Sequence, residues 1–150
     1  MADLRAEQIV AAFVTKLTSL ATTGANVFRG RVHPVPDNKL PAILVYLGPD
    51  VPMHDDGASS SFQYLDSRLT VFVEALSKTS AAQVDTQLNQ IRKEAIIALR
   101  ADHTQGLAFV LDSLEGQAEP DLKGDGDKPT GSLRMEWTVL YRRSRADGSA

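Results

Sequence analysis

The sequence has no cysteine, no long apolar segment and no large excess of charge. Without cysteine there is no disulfide, no thiolate metal ligand and no cysteine nucleophile, which suits a reducing compartment. No apolar run approaches the roughly 20 residues that a membrane-spanning helix needs. The net charge of −3 over 150 residues gives no general attraction to nucleic acid or to an anionic membrane. Asp3 and Glu7 interrupt the N-terminus, so no secretory signal is expected, and we predict a soluble intracellular protein.

Two segments alternate between apolar and polar residues, as β-strands with one buried face do. They are Ser67–Leu76 and Leu133–Tyr141. The apolar positions are Leu69, Val71, Val73 and Ala75 in the first segment, and Leu133, Met135, Trp137, Val139 and Tyr141 in the second. Two long strands with the same one-sided pattern predict a mainly antiparallel sheet that is covered on a single face.

Two amphipathic helices are expected to supply that cover. The first runs from Leu4 to Leu20, with Ile9, Val10, Phe13, Val14, Leu17 and Leu20 on its apolar side. The second begins near Ser80 and runs to about Ala101, with Val84, Leu88, Ile91, Ala95 and Leu99 on its apolar side. Asp3 is expected to cap the first helix and Gly24 to stop it, while Ser80 and Gln83 have capping-box spacing.

The remaining segments complete a two-layer α+β sandwich. Strands are expected at Val27–Val32, Pro41–Leu47 and Leu107–Leu114, and loops at Gly48–Ser61 and Glu115–Ser132, where proline, glycine and acidic residues concentrate. The predicted order α-β-β-β-α-β-β gives a mainly antiparallel sheet of about five strands with two helices on one face. Residues 1–145 are expected to form one domain and residues 146–150 a disordered tail.

No motif with catalytic or ligand-binding chemistry emerges from the sequence. His33, His54 and His103 lie far apart in predicted loops, with no helical spacing that would bring them to one metal ion. The segment Gly124–Gly131 resembles a phosphate loop but lacks the lysine and hydroxyl at a helix start. We therefore expect no catalytic residue, no cofactor site and no metal site.

The polar side of the predicted sheet leaves two interpretations open. Glu74 and Glu136 fall on that side, where paired carboxylates could do acid–base work. The commoner explanation is cross-strand charge pairing with the arginines of the same side: Arg68, Arg134 and Arg142. The side also carries Tyr64, Phe72 and Leu140, and this apolar content favours a protein–protein contact.

Charge is divided between two regions of the chain that a neighbouring copy could bring together. The expected partner-contact residues include a basic end and acidic loops. The acidic residues are Asp55, Asp56, Glu119, Asp121, Asp125 and Asp127, and the basic residues are Arg142 and Arg143. Tyr64, Arg68 and Phe72 extend this set across the sheet face. Identical subunits in a ring could join such opposite patches head to tail, although ordinary solvated loops explain the charges equally well.

Four segments together resemble a known family. An N-terminal helix precedes Asn26-Val27-Phe28-Arg29-Gly30-Arg31 and a proline-containing loop. Then come Leu40-Pro41-Ala42-Ile43-Leu44-Val45-Tyr46-Leu47, Arg68-Leu69-Thr70-Val71-Phe72-Val73-Glu74 and a closing Leu140-Tyr141-Arg142. This arrangement is similar to the tail terminator (minor tail protein U) family of long-tailed bacteriophages, over residues 4 to 143 or so.

The resemblance implies a structural virion protein without enzymatic activity or cofactor. It implies a homohexameric ring at the head-proximal end of the tail tube, where it ends tail polymerisation and prepares head–tail joining. The implied partners are copies of itself, the tail tube protein and the head–tail connector protein, with no membrane and no specific nucleic-acid binding, although DNA would pass through the ring. The implied location is the tail–neck junction of the virion, after assembly in the host cytoplasm. Alternatives are another neck protein, a small-ligand-binding α+β oligomer, or an enzyme using the open sheet face.

Overall fold

A computed structural model describes residues 4–30, 35–53, 64–80, 82–123 and 130–149. The helices and strands are, in chain order, α1 (Arg5–Leu17), β1 (Val27–Arg29), β2 (Ala42–Met53), β3 (Tyr64–Lys78), α2 (Val84–Arg100), β4 (Val110–Lys123) and β5 (Thr130–Ser144). This is the element order that the sequence predicts. No helix in the described part of the chain is long and apolar enough to cross a membrane.

The strands form one five-stranded sheet in the order β1-β2-β3-β5-β4. β1 lies parallel to β2, and the other neighbours are antiparallel. The two longest strands, β3 and β5, pair along 15 residues each, with Val71 opposite Trp137 at the centre of the register. Both helices contribute to a core on one side of this sheet, so the predicted α+β sandwich is confirmed. The domain limits at residues 1–145 stay a prediction.

The core lies between the helices and the inner face of the sheet. Most of its members are the residues that the alternating and helical patterns select. From the helices they include Ile9, Val10, Phe13, Leu17, Val84, Leu88, Ile91, Ala95 and Leu99; from β3 and β5 they are Leu69, Val71, Val73, Ala75, Leu133, Met135, Trp137, Val139 and Tyr141. All are buried, because each helix turns one stripe towards the sheet while alternate strand residues point to it.

The predicted helix ends are only partly right. α1 ends at Leu17, before Gly24, which does adopt a left-handed conformation with φ of +54°. The capping box is wrong: α2 begins at Val84, and Gln83 at the N-cap makes no side-chain capping bond. Ser80 instead closes a turn through its backbone carbonyl, which accepts hydrogen bonds from the amides of Gln83 and Val84 at 2.9 and 3.1 Å. Asp3 lies outside the described residues.

Two predicted loops are shorter than expected because their flanking strands continue past glycine and proline. β2 runs to Met53, with a shift in pairing register between Leu47 and Asp50 that accommodates the intervening residues. β4 runs to Lys123, with a similar shift between Glu115 and Ala118. β4 is an edge strand, where a proline that lacks an amide hydrogen is tolerated. The remainder of each predicted loop, residues 54–61 and 124–129, lies outside the described residues.

Most of the segment expected to be a disordered tail is described, and it packs against the start of α1. The amide of Arg5 donates to the carbonyl of Gly148 at 3.0 Å, and the amide of Gly148 donates to Ser144 at 3.1 Å. The Arg5 guanidinium also lies over the Phe109 ring, 4.5 Å from its centroid. Arg5 therefore links the start of α1 to the segment after β5 and to the segment that precedes β4.

Candidate functional site

The outer face of the sheet points away from both helices. On β3 this face carries Tyr64, Arg68, Phe72 and the other residues of that parity, since their neighbours on the strand are buried against the helices. No helix of the described part of the chain packs on this face. It combines aromatic, aliphatic and charged side chains, as the sequence analysis expects.

A row of side chains crosses the outer face through four strands. Tyr46 of β2 stacks on Phe72 of β3 with ring centroids 5.2 Å apart. The guanidinium of Arg134 on β5 lies 5.1 Å from the Phe72 centroid and donates to a Glu119 carboxylate oxygen of β4 at 3.1 Å. Cation–π and charge-assisted contacts of this kind hold side chains in fixed positions on an exposed sheet. The outer face is therefore preorganised at its centre.

Cross-strand charge pairing accounts for two of the three arginines that the sequence analysis assigns to this face. Arg134 pairs with Glu119, and Arg142 pairs with Asp66 at 2.9 Å between Nε and Oδ1. The hydrogen bond to Asp66 raises the pKa of Arg142. Arg68 is exposed and lies opposite Leu140.

A cleft of about 280 Å³ opens on this face beside the edge strand, lined by Glu74, Glu119, Pro120, Asp121, Ser132 and Arg134. Its walls are mainly charged, whereas the ligand-binding alternative predicts an apolar pocket. Glu74 is almost fully buried there, and Arg134 lies directly opposite it in the register. Glu136 lies opposite Phe72 and is not among the lining residues. The structure therefore does not bring the two carboxylates of the enzyme alternative into a directly opposed pair.

A hydrogen-bonded group fixes the end of the sheet that leads towards residues 54–63. The Tyr141 hydroxyl donates to Asp50 Oδ2 at 2.6 Å, and the Ser67 hydroxyl donates to Asp50 Oδ1 at 2.5 Å. Burial, with the hydrogen bond to Asp50, raises the pKa of Tyr141 well above its ordinary value near 10. Asp50 follows the register shift in β2, so these bonds hold the shifted strand in place.

The predicted contact residues fall in separate parts of the outer face and its ends. Tyr64 is half exposed near one end of β3, and Phe72 is partly buried in the central row. Glu119 and Asp121 lie on the edge strand, at the opposite end of the β4–β5 pair from Arg142 and Arg143. Four of the predicted acidic residues lie outside the described residues: Asp55, Asp56, Asp125 and Asp127.

The histidines give no metal centre in the part of the chain that the structure describes. His103 is exposed after α2, while His33 and His54 lie outside the described residues. No group of three or more potential ligands capable of holding a metal ion occurs among the described residues. The expected absence of metal and cofactor stays a prediction.

One feature on the outer side of α2 is not predicted from the sequence. Ile97 is 61% exposed, the highest value among the large apolar side chains that the structure describes. Lys93 and Arg100 lie one turn before and about one turn after it on the same helix face, and both are exposed. The available signal was an isoleucine outside the apolar stripe of the helix, between two basic residues.

Comparison with known proteins gives likenesses among solved structures. No family model matches the chain, and no curated protein matches it. One chain of a solved structure described as the virion of a native gene transfer agent (GTA) particle is similar, with 18% sequence identity and a TM-score of 0.48. The match covers 88% of this chain and 94% of that chain.

Proposed function

We propose that copies of this protein form a ring, of six subunits, that caps the head-proximal end of a phage tail tube. The ring ends tail polymerisation and offers its other rim to the head–tail connector, with DNA passing through its centre. The proposal combines the sequence resemblance to tail terminators with the outer sheet face, which is the observation that carries it. The protein would act by contact alone, without catalysis, in the virion at the tail–neck junction.

The outer sheet face supports a role in assembly. Apolar side chains are exposed on it at Val51, Tyr64 and Leu114, between charged side chains. A fixed mixture of aromatic, aliphatic and paired charged groups is typical of the surfaces by which proteins bind each other. No helix in the described residues covers this face, so a neighbouring protein can.

The strand ends support a cap with two different rims. The β2–β3 connection leaves and re-enters the sheet at Met53 and Tyr64, beside Asp66 and Arg142. The β4–β5 connection leaves and re-enters it at the other end, at Lys123 and Thr130, which lie in one row with Lys78. A cap must match the tube at one rim and differ from it at the other so that head-to-tail growth stops.

The charged residues support a head-to-tail order of subunits. Arg143 lies roughly 30 Å along β5 from Arg134, at about 3.4 Å per residue. Glu119 lies opposite Arg134 and Asp121 lies beyond it, so the basic end and the acidic groups occupy opposite ends of one strand pair. Exposed ion pairs are each worth only about 0–1 kcal/mol, so charge would fix the register while apolar contact supplies most of the affinity.

Deletion of the gene from its phage tests the proposed station. We expect headless tails of irregular, excessive length, because the tube would lack the cap that stops its growth. Electron micrographs of negatively stained lysates give the tail-length distribution, and expression of the protein from a plasmid should restore uniform tails. Tails of normal length that fail to join heads would assign the protein to a later step in the neck.

Reversal of charge at the basic end tests the subunit contact in purified protein. Arg143→Glu is preferable to a change at Arg142, whose guanidinium pairs with Asp66 inside the subunit. Rings of the variant are expected to dissociate at a higher protein concentration than rings of the unchanged protein, and sedimentation velocity measures this. A ring of unchanged stability would remove Arg143 from the contact, and circular dichroism serves as the control for folding.

A further inference from the structure

We propose that α2 of one copy docks on the outer face of β4 and β5 of the next copy. In this arrangement the helical layer of each subunit covers the open sheet of its neighbour. The inference rests on the ring proposed above and identifies which surfaces would join its subunits. The occupant of the open face is thus a second copy of this chain.

The docking helix presents a basic patch with an apolar centre, here called the helix patch: Lys93, Ile97 and Arg100. Spacings of four and three residues place the three side chains on one face of α2. Ile97 is 61% exposed. Within the described part of the chain, Lys93 and Arg100 make no ion pair, so both charges are available to a neighbour.

The receiving surface is acidic with an apolar member, here called the sheet patch: Leu114, Glu119, Asp121 and Glu136. Leu114 is 41% exposed and lies opposite Thr138. Arg134 is the cation that compensates Glu119, while Asp121 and Glu136 have no ion-pair partner in the described residues. The sheet patch therefore matches the helix patch in charge and in the presence of one exposed aliphatic side chain.

The location of the two patches dictates the symmetry of the contact. α2 packs on the inner side of β3, β4 and β5, and the sheet patch lies on the outer side of β4 and β5. One copy therefore cannot join its own two patches. A twofold axis would require both contacts to form between the same two copies, and patches on opposite sides of the subunit cannot both face one neighbour. Head-to-tail contact satisfies both patches, and such contacts form rings when the rotation closes.

The free edge of β4 is poorly suited to the alternative, addition of a strand from another protein. The amide of Ser113 already donates to the Asp112 carboxylate at 2.9 Å, and Pro120 has no amide hydrogen to offer. Two register shifts also interrupt the strand. These are features by which natural sheets resist edge-to-edge pairing. The remaining way to cover β4 and β5 from outside is across their outer face.

Complementary charge reversal tests the contact. The helix variant carries Lys93→Glu and Arg100→Glu, and the sheet variant carries Asp121→Lys and Glu136→Lys. Each variant alone is expected to associate at least about tenfold more weakly than the unchanged protein, because like charges then face each other. An equimolar mixture should regain association, since each variant offers the surface that the other requires. Sedimentation velocity over a dilution series measures all samples.

A control variant changes charge by the same amount elsewhere. Lys16→Glu with Lys39→Glu alters α1 and the turn before β2, and its association should match that of the unchanged protein. Failure of the mixture to regain association would overturn the proposed contact. If the unchanged protein forms rings in that case, only the proposed contact is wrong. If the unchanged protein stays monomeric at every concentration, the proposed ring is wrong as well.

Crosslinking gives an independent readout because the chain has no native cysteine. The Ile97→Cys and Leu114→Cys variants are mixed and oxidised mildly with diamide. Disulfide-linked dimers that contain one chain of each variant should form. The matched control mixes Ile97→Cys with Val51→Cys, which is exposed on the far side of the same sheet face. Equal crosslinking in both mixtures, or none in either while rings are present, would overturn the contact.

Discussion

Replacement of Trp137 by alanine is the most direct test of the sheet-and-helix core. Trp137 is the one tryptophan of the sequence and is fully buried on the inner side of β5. Its ring meets Phe13 of α1 edge to face, with centroids 6.5 Å apart and planes at 75°. It also lies opposite Val71 at the centre of the β3–β5 pair. The substitution would remove the contact that joins α1 to the middle of the sheet.

The expected loss in unfolding free energy follows from burial and cavity formation. A buried tryptophan removes about 200 Å² from water, which at about 25 cal/mol per Å² corresponds to about 5 kcal/mol. Measured truncations of this kind cost about 3–5 kcal/mol, since the cavity collapses only in part. A domain of this size has a total stability of about 5–15 kcal/mol, so Trp137→Ala should leave little folded protein.

A phenylalanine at the same position separates the volume of the ring from its polar atom. The indole Nε1 is buried without an acceptor in the described residues, and such an unmade bond costs about 1–3 kcal/mol. Trp137→Phe loses some volume but also removes the unsatisfied donor, so it should cost less than about 1.5 kcal/mol.

Urea unfolding followed by circular dichroism measures both Trp137 variants. Thr138→Ala is the control, because this neighbour on the strand points to the outer face and should change stability by less than about 0.5 kcal/mol. The unchanged protein should show blue-shifted tryptophan emission that iodide quenches poorly. Red-shifted emission, or an alanine variant as stable as the Thr138 control, would refute the assignment of Trp137 to the core.

Two further substitutions test the register shift in β2. Tyr141→Phe removes the hydrogen bond to Asp50 and should cost about 1–2 kcal/mol at neutral pH. Because burial raises the pKa of Tyr141, its contribution to the unfolding free energy is complete below about pH 10 and is lost as the pH rises further. Above that pH the Phe variant should therefore lose less stability than the unchanged protein. Parallel plots of unfolding free energy against pH in the alkaline range would contradict this. Gly48→Ala should lower the unfolding free energy by about 1–3 kcal/mol, since the added Cβ would lie 2.6 Å from Phe72 Cε2. A melting temperature equal to that of the unchanged protein would show that Phe72 moves freely aside.

The helix patch is an example of a surface that cannot be predicted from the sequence alone. From the sequence, Lys93 is an ordinary solvent-facing lysine, and nothing local to α2 indicates the surface on the other side of the sheet that we propose as its partner. That relation depends on which strands α2 covers, and this follows from the order β1-β2-β3-β5-β4. The insertion of β5 between β3 and β4 is a long-range pairing that periodicity along the chain does not encode.

The sequence predicts structure well where a pattern of residue types repeats along the chain, and poorly where the prediction depends on a single residue. Alternation and helical periodicity determined the element order, the buried set that includes Trp137, and the one-sided sheet, because each extra residue of the pattern repeats the same information. Gly48 and Pro120 are residue types typical of loops, yet both lie inside strands: Pro120 is opposite Leu133, and Gly48 lies in the register shift of β2 between paired residues. Tertiary structure alone decided these strand lengths, the register shifts and the row from Tyr46 to Glu119, since backbone hydrogen bonds to distant strands outweigh weak local preferences.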